Sequence, residues 1–161
     1  MNNVPVGVCG MPCGLCPMFY IATDNKCTGC SKDNKCKVYN CSEEKRIKSC
    51  SSCKEYRCSK IEDLKEFSNF YSNRIWGKNI SDMKKNGYDN WMEEYSKKVT
   101  LIIEALNKYN AGSSKNLICR TFMLHDITTI EQIMKLGEEI TVTDSKEKAK
   151  EFKRICKCIT K

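Results

Sequence analysis

Apolar positions in the C-terminal two thirds of the chain recur at helical spacing. Ile61, Leu64, Phe67, Phe70 and Tyr71 follow Ser59-Lys60-Ile61-Glu62, whose serine-to-glutamate spacing is that of a capping box. Between residues 81 and 86 the pattern predicts only a short turn, stopped at Gly87, a natural residue for the position after a helix end. Next comes the clearest helix. Trp91, Tyr95, Val99, Ile102, Leu106 and Tyr109 recur at intervals of 4, 4, 3, 4 and 3, with Asp89 placed to cap the start and Gly112 to end it. A short helix entered from Ser113 or Ser114 is expected over the apolar run Leu117–Leu124. Thr128-Thr129-Ile130-Glu131 reads as a second capping box, leading into Ile130, Ile133, Met134 and Ile140. Asp144-Ser145-Lys146-Glu147 opens a last helix with Ala149, Phe152, Ile155, Cys156 and Ile159 on its inner face.

The first sixty residues follow a different rule. Gly, Pro, Asn, Lys and Ser dominate, and the sparse apolar residues show neither a helical nor a strand period. Such a stretch cannot offset its chain entropy by burial alone and needs cross-links. The expected architecture is therefore mainly α. An irregular, metal-stabilised, Cys-rich module over residues 1–60, with room for short hairpins, packs on four or five helices from residues 61–161.

Composition sharpens this picture through one residue type. Thirteen of 161 residues are Cys, and ten of them lie between Cys9 and Cys58. An odd count fits a complete disulfide framework poorly. The start, Met1-Asn2-Asn3-Val4-Pro5, has neither the basic nor the apolar region of a secretory leader, and no apolar run is long enough to span a membrane. A cytoplasmic setting with reduced thiols is expected, and thiols crowded in that way point to metal ligation.

The candidate ligands are Cys9, Cys13, Cys16, Cys27, Cys30, Cys36, Cys41, Cys50, Cys53 and Cys58. Three Cys-x2-Cys pairs occur among them. This spacing lets both sulfurs of one tight turn reach a single ion, and tetrahedral zinc takes two such pairs or their equivalents. Cys13/Cys16 with Cys27/Cys30 makes a zinc-ribbon-like set. Cys50, Cys53 and Cys58 with Cys41 or Cys36 make a second one. Cys9 and one of Cys36 and Cys41 are then unassigned, and interleaved pairing stays open, so the ten thiols are expected to hold one or two zinc ions as a set.

Iron is the rival metal. Cys9-x3-Cys13-x2-Cys16 has the three-cysteine spacing of radical enzymes, but the βα alternation of their barrels is missing. A plain iron–sulfur cluster in a redox or sensor protein remains the alternative.

The formal charge is +8. Each zinc held by four thiolates carries 2 − 4 = −2, so two sites would halve that excess. Lys26, Lys32, Lys35, Lys37, Lys45, Arg46, Lys48, Lys54 and Arg57 are interspersed with the ligands. They offset thiolate charge, and they also suggest a phosphate-binding surface on which Tyr39 and Tyr56 would stack on bases. The expected partner is a protein or a nucleic acid, not a membrane.

No phosphate loop, dinucleotide fingerprint, zinc-protease helix or serine elbow is present, so the reading leans away from an enzyme and assigns no catalytic residue. Glu43, Glu44 and Glu55 are the carboxylates nearest the ligands. The single His125 reads as a helix-end or surface residue, Cys119 and Cys156 as small buried residues, and Cys158 as exposed.

In their order, Cys9-Gly10-Met11-Pro12-Cys13-Gly14-Leu15-Cys16-Pro17, Cys27-Thr28-Gly29-Cys30 and Cys50-x2-Cys53-x4-Cys58 resemble a bacterial and archaeal family of small Cys-rich proteins of unknown function. Met83–Gly87 with Trp91-Met92, and 105–112 running on to Cys119, resemble its helical continuation, so the likeness spans roughly residues 6–136. It implies a zinc-binding N-terminal module and carries no reaction with it. Two positions depart from the family pattern: Ser113 stands where Arg is expected, and Arg57 where Pro is expected before the cysteine.

Overall fold

The helical periods just described form helices, and the irregular segment forms loops and single turns. A computed structural model describes residues 5–24, 26–27, 29–30, 36–66, 73–111 and 113–159. Seven α-helices lie among them: α1 (Lys37–Lys45), α2 (Ser59–Glu62), α3 (Asn73–Asn86), α4 (Tyr88–Tyr109), α5 (Ser114–Leu124), α6 (Ile127–Glu138) and α7 (Ser145–Ile159). There is no strand among the described residues, so the mainly α class holds and the cysteine-rich segment contains no hairpin there.

Two compact units divide the chain. One comprises Met1–Gly14 with Ala22–Glu93, the other Leu15–Ile21 with Glu94–Lys161. The sequence break at residue 60 follows composition. The units follow contacts instead: α3 belongs with the cysteine-rich segment, a short piece of that segment belongs with the C-terminal helices, and the boundary falls inside α4.

In the first unit, sparse apolar residues are supplemented by thiols. Its buried cluster is Cys9, Val38, Cys50, Ile61, Trp76, Ile80 and Met83, with Val8, Met11, Cys36, Tyr56 and Cys58 partly buried against it. The loop before it satisfies its own backbone. Gly7 N–H donates to Met11 O at 2.7 Å, Gly10 N–H to Gly7 O at 2.8 Å, and Gly14 N–H to Pro5 O at 2.7 Å. Gly10, at φ 88°, lies against α3: a Cβ there would stand 2.8 Å from Trp76 O and 2.9 Å from Ile80 Cγ1. Asn79 Nδ2 donates to Gly10 O at 2.8 Å, fixing the same contact.

Helix α3 is the main departure from the sequence expectation, which had only a turn over 81–86. Trp76, Ile80 and Met83 keep a helical spacing and are all buried. The signal was weak because Gly77 interrupts the pattern and no capping residue is obvious upstream. Its end was legible: Gly87 has φ 84°. Helix α1 ends without glycine. Arg46 takes the left-handed conformation at φ 53°, and Ile47 N–H closes on Ser42 O at 3.0 Å.

The second unit is a helical assembly. Tyr95, Val99, Ile102, Ala105 and Tyr109 of α4 are buried, as are Ile118, Cys119 and Phe122 of α5, Ile130, Ile133 and Met134 of α6, and Ala149, Phe152 and Cys156 of α7. The Tyr109 and Phe152 rings stack at 3.9 Å. Gly137 makes room for them, since a Cβ there would meet Phe152 Cε2 at 2.8 Å. Asp144 Oδ1 accepts from the N–H groups of Lys146 and Glu147, as the sequence pattern implies. Helix α6, however, starts earlier than its capping-box reading. Asp126 is the cap, accepting from Thr129 N–H at 2.8 Å, and hydrogen bonds from the Thr129 side chain and N–H hold its carboxyl below the usual range. Likewise α2 begins at Ser59 with Cys58 before it, so Ser59 is not the cap. Phe67, Phe70, Tyr71 and Gly112 lie outside the described residues.

Candidate functional site

Four cysteines from three neighbouring pieces of backbone line one pocket in the first unit. Cys41 comes from α1, Cys50 and Cys53 from a single 3-10 turn and the residue after it, and Cys58 from the residue preceding α2. The turn is built locally. Ser49 Oγ accepts from Ser51 N–H at 3.1 Å and donates to Met83 Sδ at 3.3 Å, and Cys53 N–H closes on Cys50 O at 3.1 Å. Tyr56 N–H then donates to Cys53 O at 3.3 Å, and Arg57 enters the left-handed region at φ 70°, turning the chain so that Cys58 comes back to the pocket.

Val38, Ile47 and Tyr56 make the pocket walls apolar, and Lys45 and Glu55 also line it. Its volume of about 20 Å³ is room for a single water or ion. Lys45 Nζ lies 2.8 Å from Glu55 Oε2 and 3.9 Å from Cys53 Sγ. The carboxylate hydrogen bond holds the Lys45 ammonium above its ordinary range and Glu55 below its own. Burial pushes the Cys50 thiol up to about 11, and Cys53, Cys58, Cys41 and Cys36 add to the effect.

A second group of thiols lies in the same unit. Cys9 is near Cys30, Cys50 and Cys36, and burial raises its thiol to about 12, although Met11 N–H donates to its sulfur. Cys30 is near Cys36 and Cys27. Its thiol is raised by burial and partly relieved by a bond from Val8 N–H. The Val8 carbonyl accepts from Cys50 N–H at 2.8 Å.

Of the ten predicted ligands, Cys41, Cys50, Cys53 and Cys58 line one pocket, and Cys9, Cys27, Cys30 and Cys36 lie elsewhere in the same unit. Cys13 is buried in the first unit. Cys16 belongs to the second unit, beside Cys119 and Tyr20 of that unit. Among the described residues, no three His, Cys, Asp or Glu side chains are arranged as a metal-holding group.

The remaining candidates fall as follows. Cys119 and Cys156 are fully buried and Cys158 is exposed, as their positions imply. Burial holds the first two thiols up, at about 12 and about 11. His125 ends α5, and its carbonyl accepts from Lys98 Nζ at 2.9 Å. Glu43 and Glu44 are exposed on α1. Lys26, Lys37, Lys45, Arg46, Lys48, Lys54 and Arg57 are all exposed, while Lys32 and Lys35 lie outside the described residues. The Tyr56 ring carries the Lys84 ammonium at 4.5 Å from its centre, a contact the sequence did not suggest.

Fold and site together define a mainly α protein with a thiol-rich unit. No family profile, curated protein or solved structure matches the chain. No described helix is long and apolar enough to cross a membrane.

Proposed function

We propose that this is a cysteine-rich zinc-binding protein in which the metal is mainly structural and the outer face of the thiol-rich unit binds a protein or nucleic-acid partner. One observation carries the reading: Cys41, Cys50, Cys53 and Cys58 line a single small pocket. Four sulfurs suit tetrahedral zinc. Zinc supplies the charge that ionises them, and its binding free energy becomes folding free energy of the unit. Lys45, already within reach of Cys53 Sγ, offsets part of the charge of the loaded site. The exposed lysines and arginines around the ligands form the partner-binding face, and a reducing cytoplasmic setting keeps the thiols available.

The test is metal analysis and a visible spectrum on one anaerobically purified sample, prepared without chelator. Zinc with no visible band is the expected result. Iron with labile sulfide and a thiolate-to-iron chromophore would replace zinc by an iron–sulfur cluster. Absence of any bound metal would refute the reading. Partner binding is tested by titrating single-stranded and duplex nucleic acid at rising salt. A phosphate-driven mode must weaken as salt rises.

A further inference from the structure

Cys50 and Cys53 stand at the two ends of one tight turn. Cys50 opens the 3-10 turn Cys50–Ser52, and Cys53 N–H closes it on Cys50 O at 3.1 Å. Side chains three residues apart in such a turn lie on one face, and both of these line the same pocket. A turn closed in this way holds its first and fourth Cα atoms within about 7 Å, a separation that a disulfide spans without moving the backbone. Ser49 pins the start of the turn, accepting from Ser51 N–H and donating to the buried Met83 sulfur. The two thiols differ in access. Cys50 is 8% exposed, whereas Cys53 is half-buried. Lys45 Nζ stands 3.9 Å from Cys53 Sγ and is itself held by Glu55 at 2.8 Å. Lys45 and Lys60 against Glu55 leave the pocket lining net positive. Cys13 and Cys16 have the same spacing, but both are buried, so an external reagent does not reach them.

The geometry points to Cys50 and Cys53 as a redox-active dithiol that exchanges with small disulfides bearing carboxylates. The exchange goes beyond the zinc reading and does not require it. Cys53 sulfur gives its proton to solvent and attacks one sulfur of the substrate. The substrate S–S bond breaks, a mixed disulfide forms on Cys53, and the first half leaves as a thiolate that takes up a proton. Cys50 sulfur then gives up its proton and attacks Cys53 sulfur. The Cys50–Cys53 bond forms, and the second half leaves in the same way. Two protein thiols are oxidised by two electrons, and one disulfide is reduced to two thiols. Cys53 takes the first step because a reagent reaches it, and Cys50 the second because the turn delivers it. Lys45 and Lys60 face the carboxylates of the substrate. A disulfide here also withdraws two of the four pocket sulfurs from any ion.

The experiment incubates the reduced, chelator-treated full chain with oxidised glutathione under anaerobic conditions. Remaining thiols are then alkylated with N-ethylmaleimide and mapped by mass spectrometry. Trypsin cuts after Lys48 and Lys54, so both thiols fall on one peptide, 49–54. That peptide is expected to lose both alkylation sites before any other and to carry an internal disulfide. Cys50→Ala should accumulate a glutathione adduct on Cys53, and Cys53→Ala should leave Cys50 unmodified. Cystamine, a cationic disulfide, should react about 10-fold more slowly at low salt, once each reagent is scaled to its rate with free cysteine. Failure of the internal disulfide to form, or a bond from Cys53 to Cys41 or Cys58 in its place, overturns the dithiol. Cystamine reacting as fast overturns the preference for carboxylates. A repeat in excess zinc separates the two readings. Slower exchange supports both, and an unchanged rate supports the dithiol while refuting zinc on these thiols.

Discussion

Substituting Gly10 by alanine tests the contact that joins the cysteine-rich loop to α3. Two separate costs apply. At φ 88° a Cβ is disfavoured by about 1–2 kcal/mol through its own backbone. The new Cβ would also stand 2.8 Å from the Trp76 carbonyl oxygen, a backbone atom in mid-helix that cannot rotate away, and 2.9 Å from Ile80 Cγ1, which is fully buried. Forced overpacking of this kind costs about 1–3 kcal/mol. The expected loss is therefore about 3 kcal/mol. Gly29 supplies the control. It has φ 80°, but its added Cβ would meet nothing closer than 3.7 Å, so Gly29→Ala should cost only the backbone share, about 1 kcal/mol. The assay is denaturant unfolding of the protein followed by tryptophan emission. Both tryptophans, Trp76 and Trp91, belong to the first unit, so the signal reports that unit. Equal destabilisation by the two substitutions would refute the close approach of Gly10 to α3.

Three further outcomes are expected. Chelation should red-shift tryptophan emission, because Trp76 shares its core with Cys9 and Cys50, while much of the helical circular dichroism persists from the second unit; an unchanged emission maximum would remove the structural role of the metal. In the second unit, the Cys119 and Cys156 thiols are raised to about 12 and about 11 from 9.0, so the unfolded chain loses these protons first. The native state then binds more protons, and stability falls as pH rises above 9 towards those values, by about 1.4 kcal/mol per thiol at pH 10. The double variant Cys119→Ala with Cys156→Ala should flatten that slope in an alkaline stability series, and an unchanged slope would show that other groups cause it. Gly137→Ala should destabilise α6 by about 1–2 kcal/mol in thermal unfolding, as overpacking against the stacked Phe152–Tyr109 pair outweighs the helix propensity gained; a stabilised variant would contradict that packing.

The thiol-rich unit illustrates how scarce apolar material is used. Cys9 and Cys50 occupy core positions beside Trp76 and Ile80. A buried thiol serves there as a small hydrophobe. The second unit relies on Phe122, Phe152, Tyr109 and a set of isoleucines, which is an ordinary apolar core.

Sequence alone determined what depends on local periodicity. The stripes in α4 and α7, the stop at Gly87, the cap at Asp144, and the burial of Cys119 and Cys156 are all set by neighbours three or four residues away, and they are readable there. It also determined that ten cysteines sit in the segment that cannot build a core by itself. Tertiary structure decided how those cysteines are grouped. Cys-x2-Cys spacing says that two sulfurs can share a turn. It does not say which turn faces which, because that depends on contacts such as Gly10 against α3 and the bond from Cys50 N–H to the Val8 carbonyl. So Cys41 and not Cys36 lines the pocket with Cys50, Cys53 and Cys58, a choice the spacing left open. Helix α3 was hidden for a related reason: its three buried positions matter only once the cysteine-rich loop lies against them, and local spacing around Gly77 gave too little signal to announce that contact.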